Sequence, residues 1–310
     1  MSDFIAPTTT PLPAARSRTR RLGATLRTYF LLTKPRVIEL LLVTTLPAMI
    51  LADGGFPSVG LIVAVLFGGA LAAGGANTIN CWIERDRDHL MKRTRHRPLP
   101  SGDVDPKRAL VFGLVLETVA FAFLWGTANL LAASLAVSAT LFYVFVYTIW
   151  LKPRSPQNIV IGGAAGAVPA LVGWAAVTGS LAAPACVLFA IVFCWTPPHF
   201  WALALKYRED YAAAGIPMLP VVKGTKVAVQ QILVYSVVVL AVSLTLPLVT
   251  PMTPLYPITA AILGILFVAT AERLRRDPTP ERAIKLFMFS NTYLALLFAA
   301  VAVDALLQAS

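Results

Sequence analysis

Three oxygen-bearing side chains occur four residues apart in the stretch NTINCWIERDRDHLMKRTRHRPLP. They are Asn80, Glu84 and Asp88. In an α-helix each residue advances by about 100°, so this spacing places all three side chains on one stripe. Mg²⁺ is commonly held by one or two carboxylates together with substrate phosphates. The stripe therefore predicts a site for a hard cation.

Basic residues follow the acidic stripe in the same segment and include Lys92, Arg93, Arg95 and Arg97. A carboxylate stripe beside bases suits a metal–diphosphate substrate, because the metal bridges phosphate oxygens while the bases neutralise charge on the leaving group. The alternative interpretation is a solvated loop in which acids and bases simply pair and the bases set membrane topology. The segment by itself is compatible with both interpretations.

Two further polar segments interrupt the apolar sequence. The stretch WALALKYREDYAAAGIPMLP contains Lys206 and Asp210 at a spacing of four residues. The stretch LKPRSPQN contains Lys152 and Arg154. Both segments follow long apolar runs, as the acidic stripe does. We expect all three polar segments to meet on one face of the membrane, with a site between them.

The composition indicates a membrane protein. Of the 310 residues, 57% are apolar and only 13% are charged, whereas a soluble domain has about 25% charged residues. The apolar runs are continuous rather than alternating, which favours helices over a β-barrel. The three cysteines form no CxxC pair, so we predict neither a disulfide nor a zinc site.

Nine apolar runs are each close to the ~20 residues that cross a bilayer. They cover residues 37–53, 58–83, 109–127, 130–150, 157–178, 181–205, 228–249, 254–271 and 285–306. The sequence therefore predicts an all-α bundle of nine transmembrane helices.

The basic residues predict the orientation of this bundle. All 26 Lys and Arg residues lie in the first 36 residues or in alternate connections between the runs. By the positive-inside rule, the N-terminus and the three polar segments are cytoplasmic. This distribution also explains the net charge of +11 without a nucleic-acid partner.

The predicted domain organisation is simple. Residues 1–33 are basic and rich in Ser, Thr and Pro, which is typical of a disordered arm, and residues 34–310 form one transmembrane domain. We favour a bacterial inner membrane. The alternative is a mitochondrial inner membrane, because an Arg-rich and acid-poor arm also resembles a transit peptide.

A histidine inside the sixth apolar run, His199, is a further candidate. A histidine within a span is a functional candidate by default, and it could contact an iron porphyrin. Alternatively, His199 satisfies backbone carbonyls that Pro197 and Pro198 leave free.

The quoted segments resemble the UbiA superfamily of intramembrane prenyltransferases, and within it the branch that farnesylates protohaem IX. The motif Asn80-x3-Glu84-x3-Asp88 with its MKRTRHRPLP tail matches the first acidic motif of the superfamily. The stretches CWTPPHFWALALKYREDYAAAGIPMLP and LKPRSPQNIVIGGAAGAVPALVGW match the haem branch. Two positions depart from the commonest pattern, since Glu84 replaces Asp and Lys206 replaces the first acid of the second motif.

The resemblance implies a set of site residues and a reaction. Asn80, Glu84, Asp88 and Asp210 would be catalytic, with the three acids holding Mg²⁺. The diphosphate would contact five bases, which are Arg93, Arg97, Lys152, Arg154 and Lys206. The implied substrates are farnesyl diphosphate and haem b, and the implied product is haem O. A downstream haem-modifying enzyme is a possible partner.

Three alternatives remain open at the level of sequence. The first is a prenyltransferase of the same family that acts on a quinone precursor. The second is a secondary transporter, which also uses paired and broken helices but places its polar site near the bilayer midplane. The third is a haem-binding chaperone, which would need neither Glu84 nor Asp88.

Overall fold

The structure, a computed structural model, describes the backbone of residues 18–309 and the side chains of residues 25–35 and 43–309. Within that part of the chain the regular elements are all helical. The α-helices are α1 (Arg18–Leu32), α2 (Pro35–Asp53), α3 (Val59–Asp88), α4 (Pro106–Thr127), α5 (Leu130–Leu141), α6 (Asn158–Thr178), α7 (Ala183–Lys206), α8 (Arg208–Ala213), α9 (Leu219–Val222), α10 (Gly224–Ser243), α11 (Leu255–Arg276) and α12 (Pro280–Ala309). A π-helical segment, Phe142–Leu151, continues α5, and a short 3₁₀ turn, Leu246–Leu248, follows α10.

Eight helical segments of the described chain are long and apolar enough to cross a membrane. They are α3, α4, α5 with its π-helical segment, α6, α7, α10 with its 3₁₀ turn, α11 and α12. The prediction of an all-α membrane bundle is thereby confirmed. Helix α2 contributes a shorter apolar stretch, Val43–Asp53, within the described side chains. A count of nine spans stays a prediction.

The first described helix differs from the sequence prediction. Residues 1–33 were expected to form a disordered arm, but Arg18–Leu32 is helical, and residues 1–17 lie outside the described part. The physical reason is the apolar sequence at the end of α1. Leu32 is fully buried beside Cys81, and the ring of Tyr29 meets Phe112 edge-on at 5.0 Å. This part of the arm therefore packs on α3 and α4.

Two helices position the polar stripe. Helix α3 is 30 residues long, and its last turns carry Asn80, Glu84 and Asp88. The π-helical segment lies against it. In that segment the amide of Lys152 donates to the carbonyl of Tyr147, five residues earlier, at 2.8 Å. The wider turn brings Thr148 and Lys152 toward α3.

Candidate active site

The polar stripe of α3 faces the interior of the bundle. Asn80 is 1% exposed, and Glu84 and Asp88 are each 4% exposed. The side chain of Asp86, on the same helix, is 83% exposed, so the stripe is one-sided. Two carboxylates buried in an apolar bundle require positively charged or hydrogen-bonding partners.

Each member of the stripe has its own basic partner. The pairs are Lys34 Nζ with Asn80 Oδ1 (2.6 Å), Lys152 Nζ with Glu84 Oε1, and Arg97 with Asp88 Oδ2 (2.8 Å). The three bases come from three different connections, which precede α2, precede α6 and precede α4. We call these six residues the inner cluster. It shows that three connections meet at one end of the bundle.

A second contact fixes the amide of Asn80. Its Nδ2 donates to Thr148 Oγ1 at 3.1 Å, and the Thr148 hydroxyl donates in turn to the carbonyl of Tyr143 at 2.8 Å. Thr148 and Lys152 are four residues apart, as Asn80 and Glu84 are. The two helical segments therefore meet in register, and Asn80 presents its oxygen to Lys34.

The electrostatics of the inner cluster keep two of its bases charged. Burial by itself lowers the pKa of Lys152, but the attraction of Glu84 outweighs burial and raises the pKa well above its ordinary value. The same balance holds at Arg97, where burial opposes the charge and Asp88 raises the pKa. At Lys34 burial dominates and lowers the pKa below its ordinary value. Lys152 and Arg97 are therefore held in their charged forms beside their carboxylates, whereas burial opposes the charge of Lys34.

Lys34 is a site residue that the sequence does not reveal, because a base ahead of the first apolar run indicates only the orientation in the membrane. Its backbone lies in the left-handed region, with φ 53° and ψ 61°. Such a conformation is unusual for a residue other than glycine and is often found at functional sites. The available signal was the following Pro35, which disfavours the α-helical conformation at the residue before it.

The second polar segment forms a shallow pocket of about 360 Å³ beside this site. Its lining residues are Lys92, Arg93, Lys206, Tyr207, Glu209 and Asp210. The backbone amide of Arg93 donates to Asp210 Oδ2 at 3.4 Å, which joins the loop after α3 to helix α8. We call this the rim pocket. The structure thus brings Arg93, Lys206 and Asp210 together, as the sequence predicted for neighbouring segments.

Two predicted residues occupy other surroundings. Arg154 donates to the carbonyls of Ile149 and Trp150, at 3.0 and 3.2 Å, and so caps the π-helical segment rather than joining the inner cluster. The predicted phosphate contact of Arg154 has no support from this placement. The cause is local, because the last carbonyls of a helix lack intrahelical donors and attract a nearby guanidinium.

His199 is packed inside the bundle. Its ring stacks on Trp195 at 4.2 Å and on Phe287 at 4.5 Å, and its Nδ1 lies 2.7 Å from the hydroxyl of Ser290. These contacts join α7 to α12 and favour the structural interpretation. Contact between His199 and a haem stays a prediction.

The predicted metal ligands are only partly gathered. Among the described side chains, those of residues 25–35 and 43–309, no three Asp, Glu, His or Cys residues are close enough to hold a metal ion. Glu84, Asp88 and Asp210 therefore do not form the expected trio, because Asp210 is held by the Arg93 amide. Glu84 and Asp88 alone do fit Mg²⁺, since two carboxylates with substrate phosphates are a common donor set. Each of these two carboxylates already forms an ion pair, with Lys152 and Arg97, so positive charge is bound where the metal would lie.

A membrane helical bundle with buried carboxylates and bases at one end is suited to bind an apolar molecule that carries a charged headgroup. The UbiA prenyltransferase family matches residues 41–293, and the chain belongs to that family.

Named relatives and solved structures agree with this assignment. The chain is 52% identical over 292 residues to the protoheme IX farnesyltransferase of Salinispora tropica, covering 93% of this chain and 91% of the relative. A solved structure concerning digeranylgeranylglyceryl phosphate synthase has a TM-score of 0.75 at 21% identity, covering 91% of this chain and 98% of the other. A UbiA homolog from Archaeoglobus fulgidus bound to GPP and Mg²⁺ has a TM-score of 0.60 at 17% identity, covering 89% and 99%.

Proposed function

We propose that this chain transfers the farnesyl group of farnesyl diphosphate to a vinyl group of haem b, with addition of water, to give haem O and diphosphate. The supporting observation is the 52% identity over nearly the whole chain to a protoheme IX farnesyltransferase. The inner cluster agrees with it, because an allylic diphosphate needs buried positive charge for its leaving group.

The inner cluster would bind the diphosphate. Glu84 and Asp88 would hold Mg²⁺, which would supply positive charge to the leaving diphosphate. Arg97 and Lys152 already contact the carboxylates, Lys34 contacts the Asn80 amide, and all three would turn toward the phosphates. Support for a divalent metal comes from the Archaeoglobus fulgidus homolog, which was solved with Mg²⁺ and GPP. Asp210 would take part after releasing the Arg93 amide.

The proposed reaction proceeds by loss of diphosphate. The bond between the farnesyl carbon and the diphosphate oxygen breaks, and its electron pair leaves with the oxygen. The π electrons of the haem vinyl group then form the new carbon–carbon bond to the allylic cation. Water adds to the resulting cation beside the porphyrin ring and loses one proton, leaving a hydroxyethylfarnesyl group.

The chain assists this sequence by orientation and by control of water. Buried Asn80 is held by Thr148 and Lys34, so the oxygen side of the stripe is fixed before substrate binds. A site built in advance needs little reorganisation during reaction. Burial of Glu84 and Asp88 limits the water that reaches the allylic cation before the vinyl group does.

The proposed location is a bacterial plasma membrane, with the site facing the cytoplasm. Contacts of the inner cluster and the rim pocket bring together four of the base-rich connections. The positive-inside rule assigns that end of the bundle to the cytoplasm. The named relative is bacterial.

A reconstituted assay tests the proposal. Purified protein in lipid nanodiscs is supplied with farnesyl diphosphate, Mg²⁺ and either haem b or a quinone precursor, and the products are weighed by mass spectrometry. We expect haem b to gain one farnesyl group and one water, and a chelator to abolish the gain. A product only from the quinone precursor would assign a different acceptor. Haem binding without any transfer would support the chaperone.

A further inference from the structure

The three bases of the rim pocket differ from those of the inner cluster. The ion pairs found among the described residues leave out Lys92, Arg93 and Lys206, and all three are exposed. The Arg93 guanidinium and the Lys206 ammonium each lie 5.6 Å from the ring centre of Tyr207. The pocket therefore combines three available positive charges with one aromatic face.

The acids of the rim pocket do not cancel these charges. Asp210 accepts a hydrogen bond from the backbone amide of Arg93, which leaves the Arg93 guanidinium available. Glu209 is exposed at the start of α8. The rim pocket thus retains more positive than negative side chains and suits a carboxylate, since guanidinium and ammonium groups form charge-assisted hydrogen bonds with it, and the Tyr207 ring offers an apolar surface beside them.

The rim pocket is close to the inner cluster. The loop after α3 contacts both sites, because the Thr94 hydroxyl donates to the carbonyl of Asp88 at 3.0 Å and the amide of the preceding residue, Arg93, donates to Asp210 Oδ2 at 3.4 Å. A ligand that extends from the rim toward the interior would therefore arrive beside the position proposed for the diphosphate. Its charged end would stay at the surface, where burial costs little.

We propose that the rim pocket binds the carboxylates of the porphyrin acceptor, with Lys92, Arg93 and Lys206 as partners of its propionates and Tyr207 against its edge. This inference rests on the proposed function. In haem b the two propionates lie on the edge opposite the vinyl groups, so holding the propionates at the rim points a vinyl group inward. The inner cluster already supplies three bases for the diphosphate.

Lys206 is the residue that gives this pocket its preference. An acid at this position, as in the commonest form of the second motif, would repel a carboxylate, whereas the ammonium attracts it. The five bases that the resemblance assigns to the diphosphate therefore lie at three different places in the structure. Arg97 and Lys152 belong to the inner cluster, Arg93 and Lys206 to the rim pocket, and Arg154 to a helix end.

The test compares haem b with its dimethyl ester, in which both propionates are uncharged. For the natural chain we expect KM for the acceptor to rise about tenfold on esterification, as charge-assisted hydrogen bonds are lost. The double variant Lys92→Met with Lys206→Met should show a similarly raised KM for haem b. It should also no longer distinguish haem b from the ester, while KM for farnesyl diphosphate stays within about twofold.

A charge-matched control removes two exposed lysines outside the pocket, Lys223→Met with Lys226→Met. This control should keep the discrimination between haem b and its ester. The proposal is overturned if the natural chain treats both acceptors alike, or if the rim double variant raises KM for farnesyl diphosphate instead. Loss of the proposed function looks different, because the natural chain would then farnesylate neither acceptor. The ester comparison on the natural chain holds even if a variant fails to fold.

Discussion

The inner cluster and the rim pocket both contain Lys and Arg side chains, but the two sites differ in the exposure of these side chains and in whether they form ion pairs. In the inner cluster, side chains of Lys152 and Arg97 are only 15% and 26% exposed, and each holds a carboxylate. In the rim pocket, Lys92, Arg93 and Lys206 are exposed, and no ion pair of the described residues includes them. Buried charges must be paired for the chain to fold, whereas exposed charges can wait for a ligand.

The difference in exposure and pairing explains how one end of a bundle can bind two anionic substrates. The paired bases are gathered in advance by their partners on α3 and suit a small, compact diphosphate. The exposed bases of the rim pocket hold no carboxylate and suit a large ligand that enters from the surface. Substitutions in the inner cluster should therefore affect both stability and catalysis, while substitutions at the rim should affect mainly acceptor binding.

The largest expected effect comes from the carboxylates of the stripe. Glu84→Gln or Asp88→Asn should lower kcat/KM for farnesyl transfer by about 10³-fold, because the site loses a metal ligand and leaves a buried base unpaired. The measurement is product formation in nanodiscs. Asp86→Asn is the matched control on the same helix, with its side chain 83% exposed, and should stay within about twofold. Equal losses in Asp86→Asn and Asp88→Asn would contradict the one-sided stripe.

Lys152→Met should have the next largest effect. It leaves Glu84 as an uncompensated buried charge, so we expect a loss of about 3 kcal/mol in unfolding free energy and a rise of about 10²-fold in KM for farnesyl diphosphate. Thermal unfolding in detergent and steady-state kinetics measure the two effects. In the double variant Glu84→Gln with Lys152→Met, stability should partly return while activity does not. A double variant no more stable than Lys152→Met alone would argue against the buried pair.

Asp210→Asn should cost less, about tenfold in kcat/KM. The amide oxygen of Asn can still accept from Arg93, so the loop contact survives and only the charge is lost. The Mg²⁺ concentration that gives half-maximal rate should rise in this variant, which a titration of the rate with Mg²⁺ measures. Glu281→Gln, an exposed acid at the start of α12, is the control. An unchanged Mg²⁺ titration would remove Asp210 from the metal site.

Arg154→Gln should have the smallest effect, below about threefold in KM for farnesyl diphosphate, because its guanidinium binds the carbonyls of Ile149 and Trp150. Arg97→Gln is the comparison and should raise the same KM at least about tenfold. If the two variants are equal, Arg154 contacts phosphate during the reaction despite its position here.

Much of the fold follows from the sequence, for reasons that α3 illustrates. Its apolar run is long enough to span a bilayer, and the four-residue spacing of Asn80, Glu84 and Asp88 survives as one buried stripe. Helical periodicity and hydropathy are local properties, so the sequence displays them directly. The second segment was also recognisable, since Lys206 and Asp210 follow an apolar run in the same way.

Partners across the bundle were harder to predict. Lys34 meets Asn80 from 46 residues away, and Arg93 meets Asp210 from 117 residues away. No local pattern encodes such distances. Arg154 illustrates the converse error, because a base near a helix end was assigned to a ligand when nearby carbonyls already attract it. The helix at Arg18–Leu32 was overlooked since its basic first half hides an apolar second half.

The number of residues in the π-helical segment is important for the geometry of the site. Its hydrogen bonds join residues five apart rather than four, so its turns are wider than those of an α-helix, and the segment brings Thr148 and Lys152 to Asn80 and Glu84. Phe145 is 58% exposed and adds one residue to the length of this segment. Deleting it would rotate Lys152 away from Glu84 by roughly a quarter of a turn, although every reactive group would remain. In this segment the number of residues determines whether Lys152 reaches Glu84, and the identity of the outward-facing side chains matters less.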